Sequence, residues 1–143
     1  MIMKLIPILL ATIVFLTACS EDEAEDQIAK NIGAIEEAVE QKDFSAIAEY
    51  LDNSFIANER MDIDEVRQLL RLYSLQHKRL DVTIVGSSTT MHENFSDRAD
   101  SIVSVIVTGS SGFLPSDGSI RRVEVEWIKQ SDAWLIRKAA WRH

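Results

Sequence analysis

The order of the hydrophobic patterns along this chain predicts an α+β fold, with helices first and an antiparallel sheet afterwards. Between residues 25 and 76 the apolar residues recur every three or four positions, which is the spacing of one face of a helix. From residue 80 onwards they alternate with polar residues in four segments separated by turn residues, which is the spacing of strands. Helices followed by consecutive strands are typical of the α+β class, and we expect the helices to pack on one face of the sheet.

The first residues precede this domain and have the composition of a secretory signal. Lys4 stands near the start, an uncharged apolar run extends from Leu5 to Leu16, and small residues follow. A membrane-spanning helix needs about 20 apolar residues, whereas this run is shorter and contains Pro7. The pattern predicts an exported chain, and an unprocessed signal or a short membrane anchor is the alternative.

The end of the run, Leu16-Thr17-Ala18-Cys19, resembles the processing site of bacterial lipoproteins at every position. The resemblance implies that residues 1–18 are a signal peptide and that the sulfur of Cys19 receives a diacylglycerol. Further acylation of the Cys19 amine would meet the requirement that stable anchoring takes more than one chain. Ser20 stands where an Asp would imply retention at the inner membrane in Gram-negative bacteria. The resemblance therefore implies an outer-membrane lipoprotein that faces the periplasm.

Residues 19–26 form an acidic segment between the lipidation site and the domain. Five of the seven residues from Ser20 to Asp26 are acidic, and such a block repels itself and stays solvated. We expect these residues to act as a tether. Calcium binding is the alternative, but the segment lacks the glycine-turned spacing of a calcium loop. Residues 27–143 are then expected to form a single α+β domain.

Charge and cysteine content limit the partners of this domain. The formal net charge is −8, and it becomes −9 if Lys4 leaves with the signal. An acidic chain is poorly suited to bind nucleic acid or to grip anionic lipid electrostatically. Cys19 is the only cysteine, so we expect the domain to be stabilised by packing alone, without a disulfide.

Two helices are predicted at the start of the domain. The first extends from about Glu25 to Gln41, where apolar residues share one face and charged residues the other. Asp43 is placed to cap a shorter second helix that ends at Leu51.

A short strand and a third helix follow. Asp52-Asn53-Ser54 is expected to break the second helix before a strand over Phe55–Ala57. Asp62 and Glu65 have the spacing of a capping box, in which each side chain bonds the backbone N–H of the other. This third helix is predicted to end near His77.

The last two strands can be aligned from their turn. If Ser131-Asp132 is a two-residue turn, Trp127 pairs with Ile136 and Glu126 pairs with Arg137. The apolar residues of both strands then share one face: Val123, Val125, Trp127, Trp134, Ile136 and Ala140. Lys138 also falls on that face, which requires either an amine that reaches the rim or a β-bulge.

Three segments together resemble the nuclear transport factor 2-like superfamily: Ile35–Phe55 its opening, and Val123–Trp127 and Trp134–Arg137 its last two strands. The resemblance implies a cone, in which a curved antiparallel sheet wraps around three helices and often encloses a pocket. The superfamily includes isomerases, dehydratases, cyclases and binding domains, so this fold does not determine function. No set of catalytic residues from its enzymes can be matched to this chain.

Five residues are candidates for the lining of such a pocket: Tyr50, Tyr73, Trp127, Trp134 and Asp100. The tyrosine hydroxyls would give an apolar pocket its polar contacts, although aromatic residues in these positions are also ordinary core residues. Asp100 is the best general-base candidate, and an exposed acid near the start of a strand is the alternative.

The sequence contains no motif for a metal, a nucleophile or a phosphate. His77, His92 and His143 lack the spacing of metal ligands. There is no Gly-x-Ser-x-Gly and no glycine pattern that cradles a phosphate. We therefore expect no metal, no cofactor and no identifiable catalytic residue.

The sequence as a whole predicts a lipid-anchored periplasmic domain that binds a small apolar ligand or a protein partner, with the membrane contacted through Cys19. An enzyme of the isomerase or cyclase type, acting inside the cone, is one alternative. A homodimeric assembly module that pairs through its open sheet faces is the other, as the family resemblance implies.

Overall fold

The elements follow one another in the predicted order in a computed structural model, which describes residues 18–76, 80–109 and 120–141. The helices are α1 (Ala18–Glu40), α2 (Phe44–Ala48) and α3 (Ile63–Gln76). The strands are β1 (Leu51–Ala57), β2 (Leu80–Met91), β3 (Arg98–Gly109), β4 (Ile120–Gln130) and β5 (Ala133–Trp141). Within the described ranges, no helix has the length and apolar character required to cross a membrane.

All five strands belong to one curved, open sheet in the order β1-β5-β4-β3-β2. Strands β2 to β5 are joined as consecutive antiparallel pairs, and β1 adds to the edge of β5 in a parallel orientation. The helices pack against one face, which we call the inner face, and the opposite side is the outer face. The predicted α+β class with three helices on a curved sheet is confirmed.

The hydrophobic core lies between α1 and the inner face. Ile28 and Ile32 of α1 join a single cluster with Phe55 of β1, and the sheet contributes further buried residues to it. The sheet residues of this cluster are Ala57, Ala99, Val103, Val125, Trp127, Trp134 and Ile136. Alternate residues of each strand point to opposite faces, so this cluster also defines which residues point outwards.

Helix α1 begins at Ala18, seven positions before its predicted start. The five acids between Ser20 and Ile28 are all exposed, as a solvated acidic block requires. Ala24, which lies among them, is buried and belongs to the core cluster. The acidic segment is therefore helical, and its role as a tether stays a prediction.

The second helix is shorter than predicted, and the strand after it is longer. The cap is confirmed, since Asp43 Oδ1 accepts a hydrogen bond of 3.1 Å from the Ala46 amide. The expected break at Asp52-Asn53-Ser54 is wrong, because these residues lie inside β1. Asp52 is buried there, and its carboxylate accepts hydrogen bonds from Ser54 and Gln130, which compensate for its burial.

The capping box of the third helix is confirmed. Asp62 Oδ1 accepts from the Glu65 amide at 2.9 Å, and Glu65 Oε2 accepts from the Asp62 amide at 3.0 Å. No residue of α3 is fully buried. The predicted end of α3 near His77 lies outside the described residues.

The turn between β4 and β5 is confirmed, but half of the predicted register is wrong. Ser131 and Asp132 have φ angles of 47° and 66°, as a two-residue hairpin turn requires, and Trp127 pairs with Ile136. Beyond that pair the register shifts, and Glu126 pairs with Lys138 instead of Arg137.

The cause of the shift is a β-bulge in β5, the second of the two solutions that the position of Lys138 required. The bulge turns Lys138 to the outer face, where its amine lies 3.6 Å from Glu126 Oε2. It also turns Ala140 outwards, opposite Glu124, so the predicted inward position of Ala140 is wrong. Ala139 and Trp141 take the inner positions instead, opposite Val125 and Val123.

Candidate functional site

Two of the five candidate pocket residues are core residues on the inner face. Trp127 is 1% exposed, and its Nε1 donates a 2.9 Å hydrogen bond to Ser101 Oγ. Ser101 Oγ in turn lies 2.8 Å from Thr89 Oγ1 on the neighbouring strand. This chain of hydrogen bonds satisfies the buried polar groups of Trp127 and Ser101.

Trp134, the second of these, is also buried at 2% exposure. Its backbone oxygen accepts a 3.1 Å hydrogen bond from Asn31 Nδ2 of α1, which ties the helix to the last hairpin. Its indole nitrogen is buried and has no hydrogen-bond partner among the described parts of the chain.

A shallow groove of about 330 Å³ brings Trp134 together with another candidate, Tyr50. It lies between α1 and the turn of the last hairpin, and its rim includes Lys30, Glu49 and Asp132. Tyr73 lines neither this groove nor the cleft described next. It lies on α3 and is 37% exposed.

A second depression lies on the outer face of the sheet, opposite the described helices. This outer-face cleft has a volume of about 590 Å³ and includes Asp100, the remaining candidate. Its outward-pointing lining residues come from four strands and the β1 turn: Ile56, Glu59, Asp100, Ile102, Glu124, Glu126, Lys138 and Ala140.

Strand register arranges the cleft residues in two rows across the sheet. In the first row, Asp100 of β3 lies opposite Glu126 of β4, which lies opposite Lys138 of β5. In the second row, Ile102 lies opposite Glu124, which lies opposite Ala140. One row is therefore fully charged, and in the other a single carboxylate stands between two apolar side chains.

The electrostatic balance of the outer-face cleft is negative. Its lining contains four carboxylates and one ammonium group. Asp100 and Glu126 are directly opposite each other on neighbouring strands, an arrangement of like charges that destabilises a sheet. The ion pair of Glu126 with Lys138 compensates little, because the side chains are 35% and 58% exposed and water screens the attraction.

Two arginines on the same face flank the cleft without lining it. Arg98 stands one row beyond Asp100, but its guanidinium carbon lies 4.8 Å from the centre of the Phe95 ring, a cation–π contact. Arg122 stands one row beyond Glu124 and is exposed. On the outer face, the acidic cleft is thus followed by an arginine on β3 and by another on β4.

The carboxylate with the most specific environment is Asp52, which sequence reasoning missed. It accepts hydrogen bonds from the hydroxyl and the amide of Ser54, and from Gln130 Nε2 at 2.7 Å. The Ser54 hydroxyl bond is the main cause that lowers the pKa of Asp52 below its ordinary value of 3.8, against the opposing effect of burial. The Asp-x-Ser spacing was the available signal for the local bonds, and the bond from Gln130 links β1 to the last hairpin.

The described residues contain no group of three or more His, Cys, Asp or Glu side chains placed to hold a metal ion. Asp100 is exposed and points away from the core, so it does not reach the inside of the cone as a general base would. The arrangement on the outer face can bind a partner through charge and apolar contact, and no nucleophile and base are paired in the cleft.

Comparison with known proteins gives similarity in structure and not in sequence. No family model matches the chain, and no curated protein matches it by sequence. A nuclear transport factor 2-like protein of unknown function from Pseudomonas putida superposes with a TM-score of 0.69 at 12% identity, over 84% of this chain and 86% of that one.

Two further solved structures illustrate the range of proteins with this shape. A protein with a cystatin-like fold from Caulobacter vibrioides matches with a TM-score of 0.67 at 14% identity, over 81% of this chain and 86% of that one. A hexachlorocyclohexane dehydrochlorinase from Novosphingobium barchaimii matches with a TM-score of 0.70 at 10% identity, over 88% and 90%. Identities this low carry the fold and no activity. The chain therefore has the nuclear transport factor 2-like fold, which is also described as cystatin-like.

Proposed function

We propose that this chain is a lipid-anchored binding domain that contacts a protein partner through its outer-face cleft. The observation that carries the proposal is the cleft itself, a helix-free concavity of about 590 Å³ with apolar and charged residues side by side. Interfaces between proteins commonly combine apolar contact with a polar rim in this way.

A protein partner is better supported than an enclosed apolar ligand. Binding pockets for small molecules bury most of the ligand within apolar walls. The inner face, where such a pocket is expected, has Trp127 and Trp134 packed in its centre at 1% and 2% exposure. The outer-face cleft is open, and four carboxylates line it.

Catalysis inside the cone has less support than binding. Asp52 is the only buried ionisable side chain among the described residues, and Ser54 and Gln130 already occupy its carboxylate. A general base needs a free position within hydrogen-bond reach of the substrate proton. The solved dehydrochlorinase shares the fold with this chain, and its activity is not transferred.

The anchor and the location are part of the same proposal. The sequence Leu16-Thr17-Ala18-Cys19 supports acylation of Cys19, and Ser20 supports sorting to the outer membrane, with the domain in the periplasm. A Cys19→Ser variant expressed with an alkyne-tagged fatty acid should lose the label, and the domain should be either left unprocessed or released. Ser20→Ala is the control and should keep the label. A labelled Cys19→Ser protein would contradict the anchor.

The cleft is tested by photo-crosslinking in intact cells. A photoreactive amino acid at Ile102, inside the cleft, should give a discrete adduct, and the same group at Val85, exposed elsewhere on the sheet, should not. Adding Glu124→Arg, which reverses a cleft charge, should abolish the Ile102 adduct. Equal adducts at both sites, or none at Ile102, would contradict the proposed function.

A further inference from the structure

The charge pattern of the outer-face cleft indicates what kind of partner it fits, and this inference rests on the proposed function above. We propose that the cleft binds a basic segment of a protein, in which Arg or Lys side chains stand next to apolar ones. The argument uses the charges, their spacing and the apolar residues between them.

The first step is that the free cleft holds uncompensated negative charge. Asp100 and Glu126 face each other across neighbouring strands, and Lys138 is the only cation among the described residues of the lining. Like charges in that position reduce stability, so their presence is unexplained by the fold alone. A positively charged partner removes this repulsion on binding, and complementary charge also speeds association and excludes acidic partners.

The second step concerns spacing, which fits organic cations better than a metal ion. Neighbouring strands are about 4.8 Å apart, and residues two apart on a strand are separated by roughly 7 Å. Asp100, Glu124 and Glu126 therefore form a triangle whose sides are comparable in length to an arginine side chain. A guanidinium can bond two carboxylate oxygens at once and keeps its charge at any physiological pH. The described residues contain no set of ligands close enough for a metal.

The third step is the apolar surface between the charges. Ile102 and Ala140 stand on either side of Glu124, and Ile56 lies opposite Lys138. Ile102 and Ile56 are 37% and 39% exposed, so a partner can still bury a large part of each. A small polar amine would leave this surface in water, whereas a segment with apolar side chains beside its cations would cover it.

A second copy of this chain is the main rival occupant. The chain carries a net charge of −8, so two copies repel each other at long range, and the cleft would meet another cleft with the same excess of carboxylates. Among the described residues, a second copy could offer the exposed cations Lys138 in the cleft and Arg122 beside it, against four carboxylates in the lining. Charge complementarity thus favours a basic partner over self-association.

The test is a titration of the processed, acylated protein in neutral-detergent micelles with three dye-labelled pentapeptides, followed by fluorescence anisotropy. The peptides are Arg-Leu-Arg-Leu-Arg, Gln-Leu-Gln-Leu-Gln and Glu-Leu-Glu-Leu-Glu. The arginine peptide should bind at least about tenfold more tightly than the glutamine peptide, and its affinity should fall with added salt. The glutamate peptide should not bind.

Matched variants locate the binding. Asp100→Asn with Glu124→Gln should weaken the arginine peptide about tenfold, which corresponds to about 1.4 kcal/mol. The control, Glu93→Gln with Asp132→Asn, removes the same charge from exposed turns outside the cleft, and should change the affinity less than twofold. Asn is tolerated at position 132, where φ is 66°.

Three results would overturn the inference. Equal affinity for the arginine and glutamine peptides would show an apolar site that does not select charge. Equal loss in the cleft variant and the control would show attraction by net charge alone. Self-association in light scattering that the cleft variant abolishes would assign the cleft to a second copy. In each case the Ile102 adduct in cells would still be expected. The proposed function is therefore tested separately, because the absence of that adduct would contradict it.

Discussion

The inner and outer faces of the sheet are formed by the same strands, but they differ in burial and in the pairing of polar groups. On β3, the inner residues Ala99, Ser101 and Val103 are 1%, 1% and 6% exposed. Between them, Asp100 is exposed and Ile102 is 37% exposed. On the inner face the indole of Trp127 and the hydroxyl of Ser101 have hydrogen-bond partners, whereas the outer face places like charges opposite each other. The difference teaches that packing explains the choice of inner residues, and that the outer residues need another explanation.

The explanation that we propose is binding. Real proteins break a local rule mainly where function requires it. On the inner face Trp127 follows the rules of burial and of hydrogen-bond satisfaction together. On the outer face Asp100 and Glu126 break the rule of cross-strand pairing, with no gain for the fold in return. The following substitutions test the two halves of this contrast.

The largest effect is expected in the centre of the inner face. Trp127→Ala should lower the free energy of unfolding by about 3–5 kcal/mol, because it leaves a cavity in the core cluster and removes the hydrogen bond that the indole donates to Ser101. Urea denaturation followed by circular dichroism measures this. Trp127→Phe, which keeps most of the volume and loses the N–H, should cost about 1–2 kcal/mol. A loss below about 1 kcal/mol for Trp127→Ala would mean that Trp127 lines an empty cone and not a packed core.

A smaller effect is expected at Asp52, a buried acid whose charge the fold does use. Asp52→Ala should lower the free energy of unfolding by about 2 kcal/mol at neutral pH, because Ser54 and Gln130 lose a charged acceptor. The pKa of Asp52 is lower in the folded state, so this contribution is present above about pH 4 and is lost as the pH falls through the folded-state pKa. The gap between wild type and variant should therefore narrow with acidification. A gap that is constant from pH 6 to pH 2 would contradict the assignment.

The smallest of the three expected effects concerns two glutamates of α1 that accept hydrogen bonds from the edge strand β2. Glu36 Oε1 accepts from the Ile84 amide at 3.1 Å, and Glu40 Oε1 accepts from the Val82 amide at 3.3 Å. Glu36→Ala should speed hydrogen exchange of the Ile84 amide about tenfold, because an edge N–H loses its acceptor. Glu37→Ala is the matched control, since Glu37 bonds only within its helix, to Gln41, among the contacts described. An unchanged Ile84 rate would show that the edge does not depend on Glu36.

Local patterns in the sequence predicted the helix caps and the turn of the last hairpin well. The capping box at Asp62 and Glu65 and the turn at Ser131 and Asp132 formed as predicted, because each depends on a few neighbouring residues. The α+β class followed from the change of the hydrophobic period near residue 80, from the helical to the strand spacing. This change can be read from the sequence without knowledge of distant contacts.

Features that depend on distant residues were not predictable in this way. The bulge that turns Lys138 outwards depends on how β5 fits both β1 and β4. Asp52 was interpreted as a helix breaker from its neighbours alone. Its partner Gln130 is far along the chain, so the hydrogen bond between them could not be predicted from local sequence. The outer-face cleft needs the register of four strands at once, and so Asp100 could be named as a candidate but not placed.

The most direct test of the contrast between the two faces is the stability of the double variant Asp100→Asn with Glu124→Gln. If these acids serve binding and not the fold, its free energy of unfolding in urea equals or exceeds that of the wild-type protein, by up to about 1 kcal/mol, while affinity for the arginine peptide falls. A loss of more than about 1 kcal/mol, in the range of an ordinary destabilising substitution, would contradict the account, because the outer face would then be stabilising the sheet.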